Sequence, residues 1–293
     1  MKTTKEIIGK AFAKYRPALA LSGGSDSLVL LDIASCMGFR PPLIYADSQM
    51  EYYDNLPFVQ KLAKKYRLEL HVAKAEITPQ ECWAKHGFPM LGKQSAREWM
   101  QRHRDAESLG FRLDVSTCCR KMKIKPARDL LKKLGCNANM TGQRGGPDDR
   151  LRGLRAIKDG SICFVKSDSL YVVNPLLGWT DLMISRYCRL HNLPKNPIKQ
   201  QGALTIGCMY CGGGAQFDNS GFRVLRKTRP DAWKRMIAEY GFGEIILAIK
   251  YNIHVDYVRS AIDQLGGINK MIEEMPHVFD FLRTTPLRGY FRQ

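Results

Sequence analysis

Six consecutive residues, Ser22-Gly23-Gly24-Ser25-Asp26-Ser27, have the chemistry of an anion site. The two glycines let the backbone turn freely and approach a ligand closely, and the three serines supply hydroxyls. A helical stretch begins just after them, so the N–H groups of a helix start face whatever the loop holds. A Walker A loop places a lysine after its second glycine at fixed spacing, and no such sequence occurs here, which argues against the kinase and GTPase class. Asp26 is a carboxylate where phosphates are expected, an arrangement suited to holding Mg²⁺ against a triphosphate and its departing pyrophosphate. An ordinary turn capping a helix has the same composition. The position of the loop, between an apolar strand and an apolar helix, favours the phosphate site.

A second set of residues carries metal chemistry. Cys118-Cys119 and Cys208-x-x-Cys211 give two pairs of soft sulfur donors, a set suited to zinc or to an iron-sulfur cluster. Spacing alone does not choose between them. Adjacent cysteines are awkward for one tetrahedral ion because neighbouring side chains diverge, whereas a 4Fe-4S cube offers separate corners. Cys36, Cys82, Cys136, Cys163 and Cys188 lie in apolar periodic stretches and read as core residues. No paired histidines stand at ligand spacing, and His71, His191 and His254 read as structural.

These residues need elements to position them. Helical spacing of Ile7, Ile8, Phe12 and Tyr15 ends at Pro17, and a strand is expected over Ala18 to Leu21. A helix over Leu28 to Met37 and a buried strand over Pro42 to Ala46 follow. A helix over 55 to 66 and a strand over Leu68 to Ala73 repeat the unit. Farther along, Ile124 to Leu134 reads as helix, and Asn137 to Thr141 and Ser169 to Asn174 read as strands. The pattern turns mainly helical from Trp179. This is an α/β protein with a doubly wound, mostly parallel sheet and a smaller helical C-terminal region. The expected domains are 1–180 for nucleotide binding and 181–293 for a helical region with the second cysteine pair. Ligands of such sheets bind beyond the carboxyl ends of the strands, where SGGSDS and Asp47 both fall.

At 293 residues the chain can bury a sizeable core, and 44% hydrophobic with 25% charged residues is the composition of a folded protein. Lys plus Arg, 46, exceeds Asp plus Glu, 28, leaving a net charge of +18 that attracts polyanions, nucleic acid first among them. Arg223, Arg226, Lys227 and Arg229, with Trp233 nearby, are candidates to track a nucleic-acid backbone with one stacking platform. A basic amphipathic helix with a core Trp has the same pattern. No apolar run reaches the about 20 residues that cross a bilayer, and the N-terminus lacks a signal-peptide stretch, so no membrane partner and a cytoplasmic location are expected. In that compartment thiols stay reduced, and metal or cluster ligation is a better reading of nine cysteines than disulfides.

LSGGSDSLVLL resembles the SGGxDS loop of the PP-loop ATP pyrophosphatases, whose fold is that of the adenine nucleotide α-hydrolases. From about residue 18 to 240 the chain resembles their phosphoadenosine-phosphosulfate reductase branch. YADSQMEYYDNLPFV is similar to a segment with an Asp-Thr-Gly tripeptide and following acids: Asp47 and Glu51 match, while Ser48 and Gln49 depart. MTGQRGGPDDRLRG resembles a Gly-x-Arg segment with downstream acids and Arg. NPLLGWT and LPKNPIKQQGALTIGCMYC resemble the Pro-Leu-x-x-Trp and Asn-Pro to Ile-Gly-Cys stretches. CCRKMKIKP is similar to a Cys-Cys segment of adenosine-phosphosulfate reductases whose four cysteines bind a 4Fe-4S cluster. Lys123 and Pro126 match it, and Met122 and Ala127 depart.

The resemblance implies that Ser22 to Ser27 bind the phosphates of ATP, that Asp26 holds Mg²⁺, and that Asp47 lies near the adenosine or metal. Arg144 follows a Gly-containing strand end and is a candidate to reach the α-phosphate or substrate, although in a chain this basic a solvated surface Arg has the same pattern. The resemblance further implies that Cys118, Cys119, Cys208 and Cys211 ligate a 4Fe-4S cluster. Lys121, Lys123 and Lys125 either raise its potential or lie on an exposed helix face. Sulfonucleotide reductases carry a degenerate first loop and a Glu-Cys-Gly-Leu-His tail. This chain has the complete loop and no Cys after Cys211. It thus resembles the ATP pyrophosphatase component of DNA phosphorothioation systems, or a tRNA sulfurtransferase, with DNA ahead of tRNA as partner. A cysteine desulfurase or another sulfur-donor protein would supply sulfur, and a homodimer is compatible with this reading. A sulfonucleotide reductase and a noncatalytic cluster-bearing subunit are the alternatives.

Overall fold

The computed structural model describes residues 3–91, 93–107, 113, 115–145, 160–203, 206–212 and 220–280. They fall into two compact units. The first comprises Met1–Asp47, Tyr53–Lys74 and Lys123–Gln200, and the second Ser48–Tyr52, Ala75–Met122 and Gln201–Gln293.

The first unit is built on one sheet. Strands β1 (Pro17–Ala20), β2 (Leu43–Asp47), β3 (Leu70–Lys74), β4 (Ala138–Met140), β5 (Ile162–Val165) and β6 (Leu170–Val173) run in the order β3-β2-β1-β4-β6-β5. All neighbours are parallel except β5 and β6. The register sets Leu19 beside Leu43 and beside Met140. From β1 the chain moves outward to β2 and β3 on one side, and β4 lies on the other. The carboxyl end of β1 is therefore a topological switch point, where such sheets bind ligands.

Helix α1 (Thr4–Lys14) opens on a capping box between Thr3 and Glu6. Helix α2 (Ser25–Cys36) is apolar on nearly every side, with Leu28, Val29, Leu30 and Leu31 buried, as expected of a helix covered on all faces. Helix α3 (Asn55–Tyr66) buries Phe58, Val59 and Leu62 and ends on Arg67 in the left-handed region. These side chains join Leu19, Leu21, Leu43, Tyr45 and Met140 in the main core. Each fully buried Leu or Val contributes about 1.5–3 kcal/mol, which makes the loop at the end of β1 an extension of a rigid strand.

The expected strands and helices of this unit are present, with additions: the short helix Pro197–Gln200 lies where a loop is expected over Pro194 to Gly202, and one strand is new. Strand β5 pairs antiparallel with β6 across the turn Lys166–Asp168, and Ser169 takes φ +52° where a hairpin usually has glycine. Without that glycine the hairpin has no sequence signal.

The boundary expected at residue 180 is not where the structure divides. Thr180 caps helix Asp181–Leu190, whose Ile184, Tyr187 and Cys188 pack on the core around α2. Tyr187 and Tyr66 donate hydrogen bonds of 2.8 and 2.7 Å to Asp32 on α2, and His191 Nδ1 lies 3.2 Å from the same carboxylate. An apolar face and a buried polar cluster thus fix this helix to the first unit. Ala75–Met122, expected in the nucleotide-binding domain, belongs to the second unit.

The second unit is mainly helical among its described residues. Helix Pro79–His86 begins with a capping box between Thr78 and Glu81. Its Trp83 packs against Phe88, Tyr210, Tyr240 and Phe242. Helices Ser220–Thr228, Phe242–Tyr251 and Val255–Gln264 bury Phe222, Leu225, Ile246 and Val255. No described helix is long and apolar enough to cross a membrane.

Candidate functional site

The loop Ser22–Ser27 leads from β1 into α2. Gly23 has φ +83°, and a Cβ there would overlap Asn55 Oδ1 and stand 3.0 Å from Asn196 Nδ2. Only glycine fits both the conformation and the space. Gly24 is the N-cap of α2 and provides no side-chain cap, which leaves the first turn of the helix without one. Ser27 Oγ donates to Gly24 O at 2.9 Å and lies 3.2 Å from Ser22 Oγ, so the serines brace the turn from within. Gly142, just beyond β4, comes so close that a Cβ would be 2.9 Å from the Asp26 carbonyl carbon and from Ser27 N.

Asp26 and Arg144 are brought together. Arg144 Nε is 3.2 Å from Asp26 Oδ2, and its Nη2 is 2.8 Å from Asp181 Oδ1. Burial lifts the Asp26 carboxyl above its ordinary value, against the charges of Arg144 and Lys199. Asp47 closes β2, one strand over from the loop, on the same carboxyl edge of the sheet. Lys199 was not singled out in the sequence, yet its Nζ donates to Ser25 Oγ at 3.3 Å. Residues 146–153 of the Gly-x-Arg segment, positions 204 and 205 before the Ile-Gly-Cys stretch, and the terminal residues 281–293 lie outside the described residues.

The four expected thiol ligands all lie in the second unit. Cys118 and Cys119 sit on helix Val115–Cys119, and Cys208 and Cys211 bracket a turn in which Cys211 N–H donates to Cys208 O at 3.3 Å. Tyr210 anchors that turn in the Trp83 cluster, and a Cβ on Gly212 would overlap Met90. Cys208 Sγ is 3.1 Å from Ser48 Oγ and 3.6 Å from Glu51 Oε1, and Ser48 donates to Glu51 at 2.7 Å. Gln49 takes φ +61° at the position where the resembling segment has glycine. Its side-chain amide donates to Ala75 O and Ile77 O at 3.0 and 2.9 Å, which holds that conformation.

Cys82 is fully buried, as expected of a core residue, and is hydrogen-bonded to Cys118. That bond, with burial, raises the Cys118 thiol, and the charges of Cys208 and Cys119 also reach it. Lys121 acts electrostatically on Cys82, whereas Lys125 pairs with Asp129 at 2.6 Å on an exposed face. Thiolates are the donor type of iron-sulfur clusters, and here they come from one helix and one turn. Among the described residues no three His, Cys, Asp or Glu side chains are grouped to hold a metal ion.

One expectation is corrected, and one of two readings is decided. Cys36 is exposed, at the end of α2. Trp233 is only 2% exposed, packed on Phe279 with Arg226 over its ring, so it offers no face to a base. Arg226 also pairs with Asp280 at 3.0 Å. Arg223 and Lys227 are exposed on the same helix, four residues apart.

A family model described as the phosphoadenosine phosphosulfate reductase domain matches residues 16–213. An adenosine 5'-phosphosulfate reductase of Halalkalibacterium halodurans is 26% identical over 219 residues, covering 72% of this chain and 80% of that protein. A phosphoadenosine 5'-phosphosulfate reductase of a Synechococcus species is 26% identical over 223 residues, covering 75% and 86%. Among solved structures, the phosphoadenylyl-sulfate reductase of Candida auris shares the fold with a TM-score of 0.50 and 22% identity, over 71% of this chain and 88% of that one.

Proposed function

Because the chain belongs to the phosphoadenosine phosphosulfate reductase domain family, we propose that it is an ATP pyrophosphatase that adenylylates an acceptor for sulfur transfer. The observation that carries this reading is the complete SGGSDS loop, with no side-chain cap at the start of α2, Arg144 paired with Asp26 and Lys199 on Ser25. A helix start flanked by two cations can hold a triphosphate that is cleaved, and more positive charge is present than a monophosphate needs.

The acceptor oxygen attacks the α-phosphorus, the bond to the β-phosphate breaks, and pyrophosphate leaves. Arg144 would turn from Asp26 to the phosphates, leaving Asp26 available to Mg²⁺, which binds through one or two carboxylates together with substrate phosphates. Mg²⁺ would neutralise the departing pyrophosphate. The acceptor oxygen now carries AMP, a good leaving group, and a sulfur nucleophile displaces it.

A 4Fe-4S cluster would be held by Cys118, Cys119, Cys208 and Cys211 and would supply sulfur or electrons when bound. Ser48 orients Cys208 through its hydrogen bond, and Cys82 orients Cys118. The charge of +18 supports nucleic acid as acceptor, DNA before tRNA.

A second reading, a sulfonucleotide reductase, is favoured by the relatives named adenosine 5'-phosphosulfate reductase. The deciding experiment uses protein purified without oxygen. Release of pyrophosphate from Mg-ATP, stimulated by DNA or tRNA, is expected. Release of sulfite from adenosine 5'-phosphosulfate with a thiol reductant, and no pyrophosphate from ATP, would establish the second reading instead.

A further inference from the structure

The loop Ser22–Ser27 lacks the lysine that a Walker A loop carries within its own sequence and that there reaches the β- and γ-phosphates. The fold brings one in from a distant segment. Lys199 lies on the short helix Pro197–Gln200, and its ammonium donates to Ser25 Oγ at 3.3 Å, across 174 residues of sequence. Its charge also reaches Asp26.

This placement is held firmly. Asn196, 3% exposed, donates through Nδ2 to Gly23 O at 3.2 Å and to Asn55 Oδ1 at 2.9 Å, and its Oδ1 accepts from Ile198 N–H at 3.0 Å. Ile198 is fully buried. The backbone that presents Lys199 is thus tied to the glycine that shapes the loop, while the side chain itself is only half-buried and can follow a ligand.

We propose that Lys199 is a phosphate-binding residue of this site, its ammonium moving from Ser25 and Asp26 onto the β- or γ-phosphate of ATP and neutralising pyrophosphate as it leaves. The proposal rests on the reading that the loop takes ATP, and it assigns a contact to one part of that ligand. A cation serving the β- and γ-phosphates matters to ATP and pyrophosphate but not to AMP. A residue that merely braces the loop would affect all three.

The test is calorimetric binding of ATP, pyrophosphate and AMP, each with Mg²⁺, to the full chain and to Lys199→Met and Lys199→Arg. The expected result is a loss of about tenfold or more for ATP and pyrophosphate in Lys199→Met, the size of one charge-assisted bond. AMP affinity should be unchanged, and Lys199→Arg should recover most of the loss. Turnover of Lys199→Met should fall in kcat as well as rise in KM. If the full chain binds ATP and Lys199→Met binds it equally well, or if AMP affinity falls in parallel, Lys199 is not a phosphate ligand although the ATP reading stands. If the full chain binds neither ATP nor pyrophosphate, the ATP reading fails and the assignment fails with it.

Discussion

Arg144 Nε stands 3.2 Å from Asp26 Oδ2, so the cation following β4 and the carboxylate at the start of α2 already share one ion pair at the carboxyl edge of the sheet. Each group is thereby held by the other until a ligand competes for it. A triphosphate is such a competitor, because it offers Arg144 more negative charge than one carboxylate does.

Arg144→Ala should therefore lower kcat for pyrophosphate release by about a hundredfold, the usual effect of removing one electrostatic stabiliser. Lysine in its place should recover only part, since it has one charge without the planar fork that now spans Asp26 and Asp181. Steady-state pyrophosphate assays of the two variants check this, and full activity in Arg144→Ala would remove Arg144 from the site.

Asp26 makes a prediction about pH. Its carboxyl is lifted above the usual 3.8 by burial. A carboxyl raised on folding keeps its proton longer in the folded chain, so it favours folding at low pH and loses that contribution as pH rises through its folded value. Asp26→Asn removes the titration and still accepts from Arg144. Its Tm relative to the unsubstituted protein should improve between pH 4 and pH 7, by a small amount because the side chain is 38% exposed. Pyrophosphate release should be lost. A constant Tm difference over this range would mean that burial does not govern Asp26.

Gly142→Ala places a Cβ 2.9 Å from backbone atoms of Asp26 and Ser27, which are held by a strand and a helix and cannot yield cheaply. A destabilisation of about 1–3 kcal/mol is expected from such overpacking, with weaker ATP binding. Gly9→Ala, on α1 with nothing within 4 Å of the added carbon, is the control and should stabilise by about 0.5–1 kcal/mol. Urea denaturation of both variants reads the difference.

The first unit was legible because each of its parts has a local signal. Apolar runs at Ala18–Leu21 and Pro42–Ala46 mark buried parallel strands, and Gly23-Gly24 marks the loop between strand and helix. Arg144 was identifiable from a motif, whereas its partner Asp26 was found by position in the loop, and no sequence signal joined the two. The contacts of Lys199 with Ser25 and of Cys82 with Cys118 have no sequence signal for the same reason. The partners in each contact are far apart in sequence, and only the packing of Asn196 under the loop and of Tyr210 against Trp83 brings distant segments within reach. The stretch Ala75–Met122 misled the division into domains because residue order does not say which core an apolar helix face will join.

Protein prepared without oxygen should be brown, with about four irons per chain if a 4Fe-4S cluster is bound. Replacing Cys118, Cys119, Cys208 or Cys211 with Ser should bleach it, and Cys82→Ala should keep the iron because the four expected ligands remain. Iron and sulfide analysis with visible spectra distinguishes the cases. Stoichiometric zinc without iron would reject the cluster, and bleaching by Cys82→Ala but not by Cys211→Ser would move one ligand to Cys82.

Nucleic acid as the acceptor rests on the net charge of +18, and the structure narrows which charges are available to it. Arg226 is engaged with Asp280 and lies over buried Trp233, which leaves Arg223 and Lys227 as the exposed pair on that helix. Binding to duplex DNA should weaken steeply with salt, with a log-log slope of about 0.9 for each phosphate contact. Arg223→Gln with Lys227→Gln should reduce that slope by about 1 to 2 while pyrophosphate release without nucleic acid stays unchanged. Trp233→Leu should act on stability rather than on stacking, because the indole is buried. Salt titrations of binding, paired with mass spectrometry of DNA and tRNA from cells with and without the gene, provide the check. Weak, salt-insensitive binding together with an unchanged set of sulfur-containing nucleotides would transfer the activity to a small sulfonucleotide.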